Sequence, residues 1–155
     1  MLASWDNGAL DERAKLSAAE GVLLWSMRAW VLARCRSEDL RVEARIEAAL
    51  DALDAGEAGC RLCGFMDAVE RGGTRTVEVE RMCARQLTPD ERALLGVFAC
   101  AQAGRVADAV RSLRGMVGSA AVEPALERAV DVAKALAGAG HALACRAGSM
   151  TPSLH

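Results

Sequence analysis

The chain has 155 residues, of which 52% are hydrophobic, and its formal net charge is −2. This composition is too apolar for a disordered protein, and a chain of this length can bury enough surface to fold as one domain without a metal ion or a disulfide. The slightly negative charge argues against a nucleic-acid partner, because proteins that bind nucleic acids are usually basic.

The first 15 residues are predicted to form a flexible segment before the folded domain. They carry Asp6, Asp11 and Glu12, and acidic residues are unfavourable in the positively charged start of a secretory signal peptide. We therefore expect a cytoplasmic protein. In that compartment most of the six cysteines would be free thiols.

The first predicted helix runs from Ser17 to about Cys35. Ser17 and Glu20 form an S-x-x-E capping box at its start. Between Val22 and Ala33 the helix carries a single charge, Arg28, and a helix that is apolar almost all round must be surrounded by protein or lipid. The apolar run is shorter than the roughly 20 residues that span a bilayer, so we expect protein surroundings and no membrane insertion.

This helix contains Trp25 and Trp30, two of the three tryptophans. Its apolar side chains cover more of the helix circumference than one layer of a bundle requires. We expect it to be a largely buried helix of the bundle. Trp25 and Trp30 are the candidate contact residues for a protein partner or for a second copy of the chain.

Two amphipathic helices are predicted next. The apolar residues of segment 42–53 recur at helical spacing, and Ser37 can cap the helix that they predict. A second apolar stripe predicts a helix over about 58–71, which the Gly72-Gly73 pair ends. This stripe consists of Leu62, Phe65, Met66 and Val69.

Residues 74–86 fit two patterns. Valine and glutamate alternate over residues 77–80, as in a strand, whereas Val79, Met82, Cys83 and Gln86 have the spacing of a helix. A single strand would have no partner elsewhere in the chain. We therefore expect a helix in this segment.

The sequence Thr88-Pro89-Asp90-Glu91 is the strongest helix start in the chain. It combines an N-cap threonine, a proline at the first helical position and a glutamate that completes a capping box. Two helices are predicted after it, and the link between them at Gly104 is short. They should therefore pack as an antiparallel hairpin over about 89–118.

Part of this hairpin resembles the second half of a tetratricopeptide repeat, in which a small residue at the turn and an alanine in the second helix let two helices pack closely. The resemblance covers about residues 91–118, and Val97 stands where the repeat usually has glycine. It implies a helical scaffold that binds peptides or proteins. The residues that carry it are Gly104, Arg105, Val106, Ala109 and Leu113.

A final helix is predicted from about Glu123 to Ala137, followed by a disordered tail at residues 146–155. The chain is rich in alanine, the best helix former, and contains no pair of strands that could form a sheet. We therefore predict an all-α, single-domain bundle of six or seven helices over residues 16–145.

The cysteines are the sharpest chemical candidates. Cys60 and Cys63 lie three residues apart on a predicted helix. Cys83 could supply a third ligand to a zinc ion, which needs four, and Cys100 or His141 could supply the fourth. The same pair could be redox-active, because a helix N-terminus lowers thiol pKa values. A lone C-x-x-C pattern is a weak signal, and three structural thiols are the simpler interpretation.

No other residue set indicates catalysis or a bound cofactor. His141 has no serine or carboxylate partner at a recognisable spacing, and the chain contains no glycine-rich phosphate loop. We therefore expect a non-enzymatic scaffold or adaptor that acts by protein contact or by self-association. The alternative is a metal-binding or redox-sensing protein that uses Cys60, Cys63 and Cys83.

Overall fold

The computed structural model describes residues 11–36 and 41–145. Within them the chain is all-helical, apart from a single β-bridge between Gly73 and Val117, and the predicted fold class is confirmed. A short 3₁₀ turn at Arg13–Lys15 precedes six helices: α1 (Ala18–Arg36), α2 (Val42–Asp51), α3 (Ala58–Gly72), α4 (Pro89–Gln102), α5 (Val106–Arg114) and α6 (Ser119–Gly138).

Helix α1 lies among α2, α3 and α4. It begins at the predicted capping box: the Ser17 N–H donates to Glu20 Oε1 at 2.9 Å, and the Glu20 N–H donates to Ser17 Oγ at 3.2 Å. Ten of its 19 residues are buried, which confirms the largely buried first helix.

Helix α3 packs along α6 on one side and also contacts α2. Its predicted apolar stripe is buried throughout, from Leu62 to Val69. The rings of Phe65 on α3 and Phe98 on α4 lie 4.7 Å apart between centroids. These are the two phenylalanines of the chain, and both side chains are fully buried.

Helices α4 and α5 form the predicted antiparallel hairpin, and both pack on α6. The Thr88–Glu91 capping box at the start of α4 is present. Gly104 takes a positive φ of 78° at the turn between the two helices, a conformation that favours glycine. Helix α6 starts at Ser119, before the predicted Glu123, so that Pro124 lies inside it.

The helix predicted at residues 74–86 is wrong. This segment and the two residues after it form neither a helix nor a strand, and residues 76–81 run without a turn or bend. The reason lies outside the segment: side chains from α1 and α4 take up its backbone polar groups, as described below. Local periodicity is overridden by these longer-range hydrogen bonds.

The described part of the N-terminal segment contacts the later chain. Residues 11–15, which we expected to be flexible, are hydrogen-bonded to the later chain: the Glu12 carboxylate accepts from the Leu87 N–H at 3.0 Å and from the Arg92 guanidinium at 2.9 Å. The predicted tail at 146–155, residues 1–10 and the Ser37 cap lie outside the described residues.

None of the described helices is long and apolar enough to cross a membrane.

Two glycines give a test of how closely the helices approach. A Cβ atom added at Gly59 on α3 would lie 2.8 Å from the Cα atom of Glu47 on α2, whereas one added at Gly96 on α4 would meet nothing within 4 Å. We expect Gly59→Ala to lower the free energy of unfolding by about 1–3 kcal/mol through overpacking. Gly96→Ala should raise it by about 0.4–1 kcal/mol, because alanine restricts the unfolded chain.

Urea denaturation of both variants and of the wild type measures these changes. Equal effects of the two substitutions would contradict the close approach of α2 and α3 at Gly59.

Candidate functional site

A buried arginine on α1 fixes the path of the irregular segment 74–88. The Arg28 side chain is 1% exposed and forms a two-point ion pair with Glu91 on α4, with Nε–Oε2 at 2.8 Å and Nη2–Oε1 at 3.0 Å. Arginine has five N–H donors, and here every one has an acceptor. The other acceptors are the backbone carbonyls of Ala84 at 2.8 Å, Gln86 at 3.1 Å and Met82 at 3.5 Å.

The Glu91 carboxylate is equally well satisfied. Its side chain is fully buried, and besides Arg28 it accepts the N–H of Glu80 and the N–H of Thr88, each at 2.9 Å. Glu91 therefore serves both as the capping-box residue of α4 and as the counter-ion of Arg28. The sequence identified the first role and missed the second, although Arg28 is the lone charge in an apolar helix.

The neighbouring Asp90 holds the beginning of the segment. Its two carboxylate oxygens accept from the Arg75 guanidinium at 2.8 and 2.9 Å, and one of them also accepts the Glu78 N–H at 2.8 Å. The hydrogen-bonded Arg75 guanidinium lowers the pKa of Asp90 below its ordinary value, against the opposing effect of burial.

These contacts occupy one edge of the extended residues 76–81. The N–H groups of Glu78 and Glu80 donate to the carboxylates of α4, and the Thr88 hydroxyl donates to the Glu78 carbonyl at 2.7 Å. Backbone groups of successive residues in an extended chain point to opposite edges. The N–H and C=O groups of Val77 and Val79 thus lie on the other edge, where they form no hydrogen bond within the described part of the chain.

A groove of about 550 Å³ opens between α1, α3 and the segment 73–79. Arg34 and Glu70, paired at 2.8 Å, lie at its edge. The apolar surface of the groove therefore lies next to the backbone groups of Val77 and Val79, which form no hydrogen bond with the described part of the chain. Its apolar side chains come from all three elements: Trp30, Val31, Met66, Val69, Val77 and Val79.

The two predicted contact residues, Trp25 and Trp30, have different surroundings. Trp30 is 7% exposed and lines the groove, and the Arg34 guanidinium lies over its ring at 5.2 Å from the centroid. Trp25 is half-buried and is not part of the groove. A contact of either residue with a partner stays a prediction.

The structure does not bring Cys60, Cys63 and Cys83 into one site. Cys60 and Cys83 are exposed and Cys63 is buried, and burial raises the pKa of the Cys63 thiol to about 12. Among the described residues, no three Cys, His, Asp or Glu side chains form a group that could hold a metal ion. The zinc site and the redox pair at these positions stay predictions without a supporting contact.

A different pair of cysteines, which was not predicted, does come together. The sulfur atoms of Cys100 on α4 and Cys145 lie 3.8 Å apart, beside Arg105. Their 45-residue separation along the chain gave no sequence signal. His141 lies near the connection between α2 and α3, where its Nε2 atom is 3.1 Å from the carbonyl oxygen of Leu53.

Comparison of the chain with protein-family models, with curated proteins and with solved structures found no match. Function is therefore inferred from the geometry of the described residues.

The Arg28–Glu91 pair predicts a large loss of stability in Glu91→Gln. This substitution leaves the buried Arg28 charge without its counter-ion, and we expect the free energy of unfolding to fall by about 3–5 kcal/mol. Urea denaturation measures the fall. Native-state trypsin digestion should also cleave the variant faster at Arg81 and Arg85 in the irregular segment.

The control for this substitution is Glu127→Gln, at an exposed position of α6, for which we expect a change within about 0.5 kcal/mol. Similar losses in the two variants would show that the pair does not stabilise the fold.

The Arg75–Asp90 contact predicts a pH-dependent stability difference between the wild type and Asp90→Asn. In the folded state the pKa of Asp90 lies below its ordinary value of 3.8. Its ionised form therefore stabilises the folded protein above that value, and the stabilisation is lost as pH falls through the folded-state pKa. Urea denaturation between about pH 3 and pH 7 should give a constant difference above about pH 5 that shrinks below about pH 4. A difference that is independent of pH would contradict this account.

Proposed function

We propose that this chain is a non-enzymatic adaptor or scaffold that binds an extended segment of a partner protein. The partner segment would lie along residues 76–80 and add one strand to the open edge at Val77 and Val79. The single observation that carries the proposal is this open edge beside an apolar groove. Strand addition of this kind gains affinity from main-chain hydrogen bonds and specificity from pockets for alternate side chains.

The opposite edge of the same residues is already held by side chains of α4. Asp90 accepts the Glu78 N–H at 2.8 Å and Glu91 accepts the Glu80 N–H at 2.9 Å. A partner segment therefore need not order the binding surface, which reduces the entropic cost of binding.

The groove and the charges indicate the chemistry of the partner segment. Val77 and Val79 line the groove, whereas Glu78 and Glu80 alternate with them and are exposed. A neighbouring strand would place one set of side chains against the groove and the other set beside the two glutamates. The segment that fits best alternates apolar and basic residues.

A second copy of the chain fits this edge less well. Two copies paired through residues 77–80 would set the glutamates of one strand against those of the other, and like charges directly opposite each other destabilise a pair of strands. The charge pattern therefore favours a basic partner segment over self-association through this edge.

A direct test uses a nine-residue synthetic peptide of alternating valine and lysine. We expect it to bind the full chain and, in amide hydrogen exchange followed by NMR, to protect the N–H groups of Val77 and Val79. Val79→Pro removes one of these N–H groups without breaking a described hydrogen bond, and should weaken binding by about tenfold or more.

The matched control is Leu32→Ser, at a residue of α1 that is 39% exposed and does not line the groove. It should leave binding unchanged, while circular dichroism and Tm confirm that both variants are folded. Equal binding by Val79→Pro, or protection elsewhere in the chain, would overturn strand addition. Dimerisation in sedimentation experiments that Val79→Pro abolishes would show that the edge serves a second copy, and would overturn the adaptor.

A further inference from the structure

The C-terminal end of the described chain is held against α4 at a pair of thiols. The Leu143 N–H donates to Gln102 Oε1 at 2.6 Å, and the Gln102 amide donates to the His141 carbonyl at 3.0 Å. These bonds place the sulfur atoms of Cys145 and Cys100 3.8 Å apart. A disulfide requires a separation of about 2.0 Å, so the two sulfur atoms must approach each other by about 1.8 Å to join.

A guanidinium group lies beside one of the two sulfurs. Arg105 Nη1 is 3.1 Å from Cys145 Sγ, and the same guanidinium is anchored by an ion pair with Asp108. A fixed positive charge next to a sulfur stabilises the thiolate, which is the nucleophilic form of cysteine. Burial, together with the neighbouring Cys145 sulfur, raises the pKa of the Cys100 thiol to about 11.

Both thiols line a cavity of about 500 Å³ that lies between α1, α4, α5 and the C-terminal residues. Arg92 and Arg111 line it together with Arg105. The cavity shares no lining residue with the groove beside Val77 and Val79. It is large enough to admit hydrogen peroxide to the sulfur atoms.

We propose that Cys100 and Cys145 form a peroxide-sensitive dithiol that closes to a disulfide and locks the C-terminal segment onto α4. Cys145 is the residue that reacts with peroxide, Cys100 is the resolving residue, and Arg105 is the positioning residue that contacts the Cys145 sulfur. This inference does not depend on the proposed adaptor function.

The chemistry takes two steps. The Cys145 thiolate attacks one oxygen of hydrogen peroxide, the O–O bond breaks, and the departing hydroxide takes up a proton to leave as water and a sulfenic acid on Cys145. The Cys100 sulfur then attacks the Cys145 sulfur, the S–O bond breaks, and the hydroxide leaves with the Cys100 proton as a second water. The two sulfurs lose two electrons in total, and peroxide is reduced to two molecules of water.

To test this, the fully reduced full-length chain is treated with one equivalent of hydrogen peroxide and the remaining thiols are alkylated. Tryptic peptides are then mapped by mass spectrometry. The expected product is a cross-link between peptides 93–105 and 135–146, each of which contains one cysteine. Closing this loop should also raise Tm by about 5–10 °C. Both effects should disappear in Cys100→Ser and in Cys145→Ser.

Three further variants separate the roles. Cys60→Ser removes an exposed thiol elsewhere and should leave the cross-link unchanged. Arg105→Ala should slow its formation by about threefold to tenfold, with the cross-link then read on peptide 93–111 because the trypsin site at residue 105 is lost. Arg105→Lys should restore part of the rate. Absence of the 93–105 to 135–146 cross-link, with oxidation confined to other cysteines, overturns the dithiol. An unchanged rate in Arg105→Ala overturns the role of Arg105.

Discussion

The guanidinium of Arg28 is the interaction on which the irregular part of this bundle depends. A buried charge is expensive unless it is paired and hydrogen-bonded, and here Glu91 and three backbone carbonyls satisfy every donor. These hydrogen bonds hold residues 82–86, which form neither a helix nor a strand. Through this network α1 holds residues 82–86, while Asp90 and Glu91 on α4 hold the extended residues 76–81.

That extended stretch is what distinguishes this fold from a plain helical bundle. In a bundle the helices satisfy their own backbone groups, and little main chain is left to bind anything. Here side chains take over the role of a neighbouring strand on one edge of residues 76–81. On the other edge, the backbone groups of Val77 and Val79 form no hydrogen bond with residues 11–36 or 41–145. The adaptor proposal therefore follows from main-chain chemistry more than from exposed tryptophans.

The helices could be predicted from the sequence because their signals are local. The Ser17–Glu20 and Thr88–Glu91 capping boxes and the stripe on α3 each lie within one or two turns, and each is present in the structure. Residues 74–86 could not be predicted, since their conformation depends on Arg28, a partner more than 50 residues away. The same limit applies to Cys100 and Cys145, which meet only because α4 and the C-terminal residues pack together. Cys60 and Cys63 are close in sequence, yet one is exposed and the other is buried.

The span of the Arg28 network also constrains the order in which the chain can fold. Arg28 and Glu91 are 63 residues apart, so their pairing closes a long loop and carries the entropic penalty of a non-local contact. The carbonyls of residues 82–86 have no fixed donor until α1 and α4 have docked. The path of residues 82–86 is therefore fixed only once α1 and α4 have packed together.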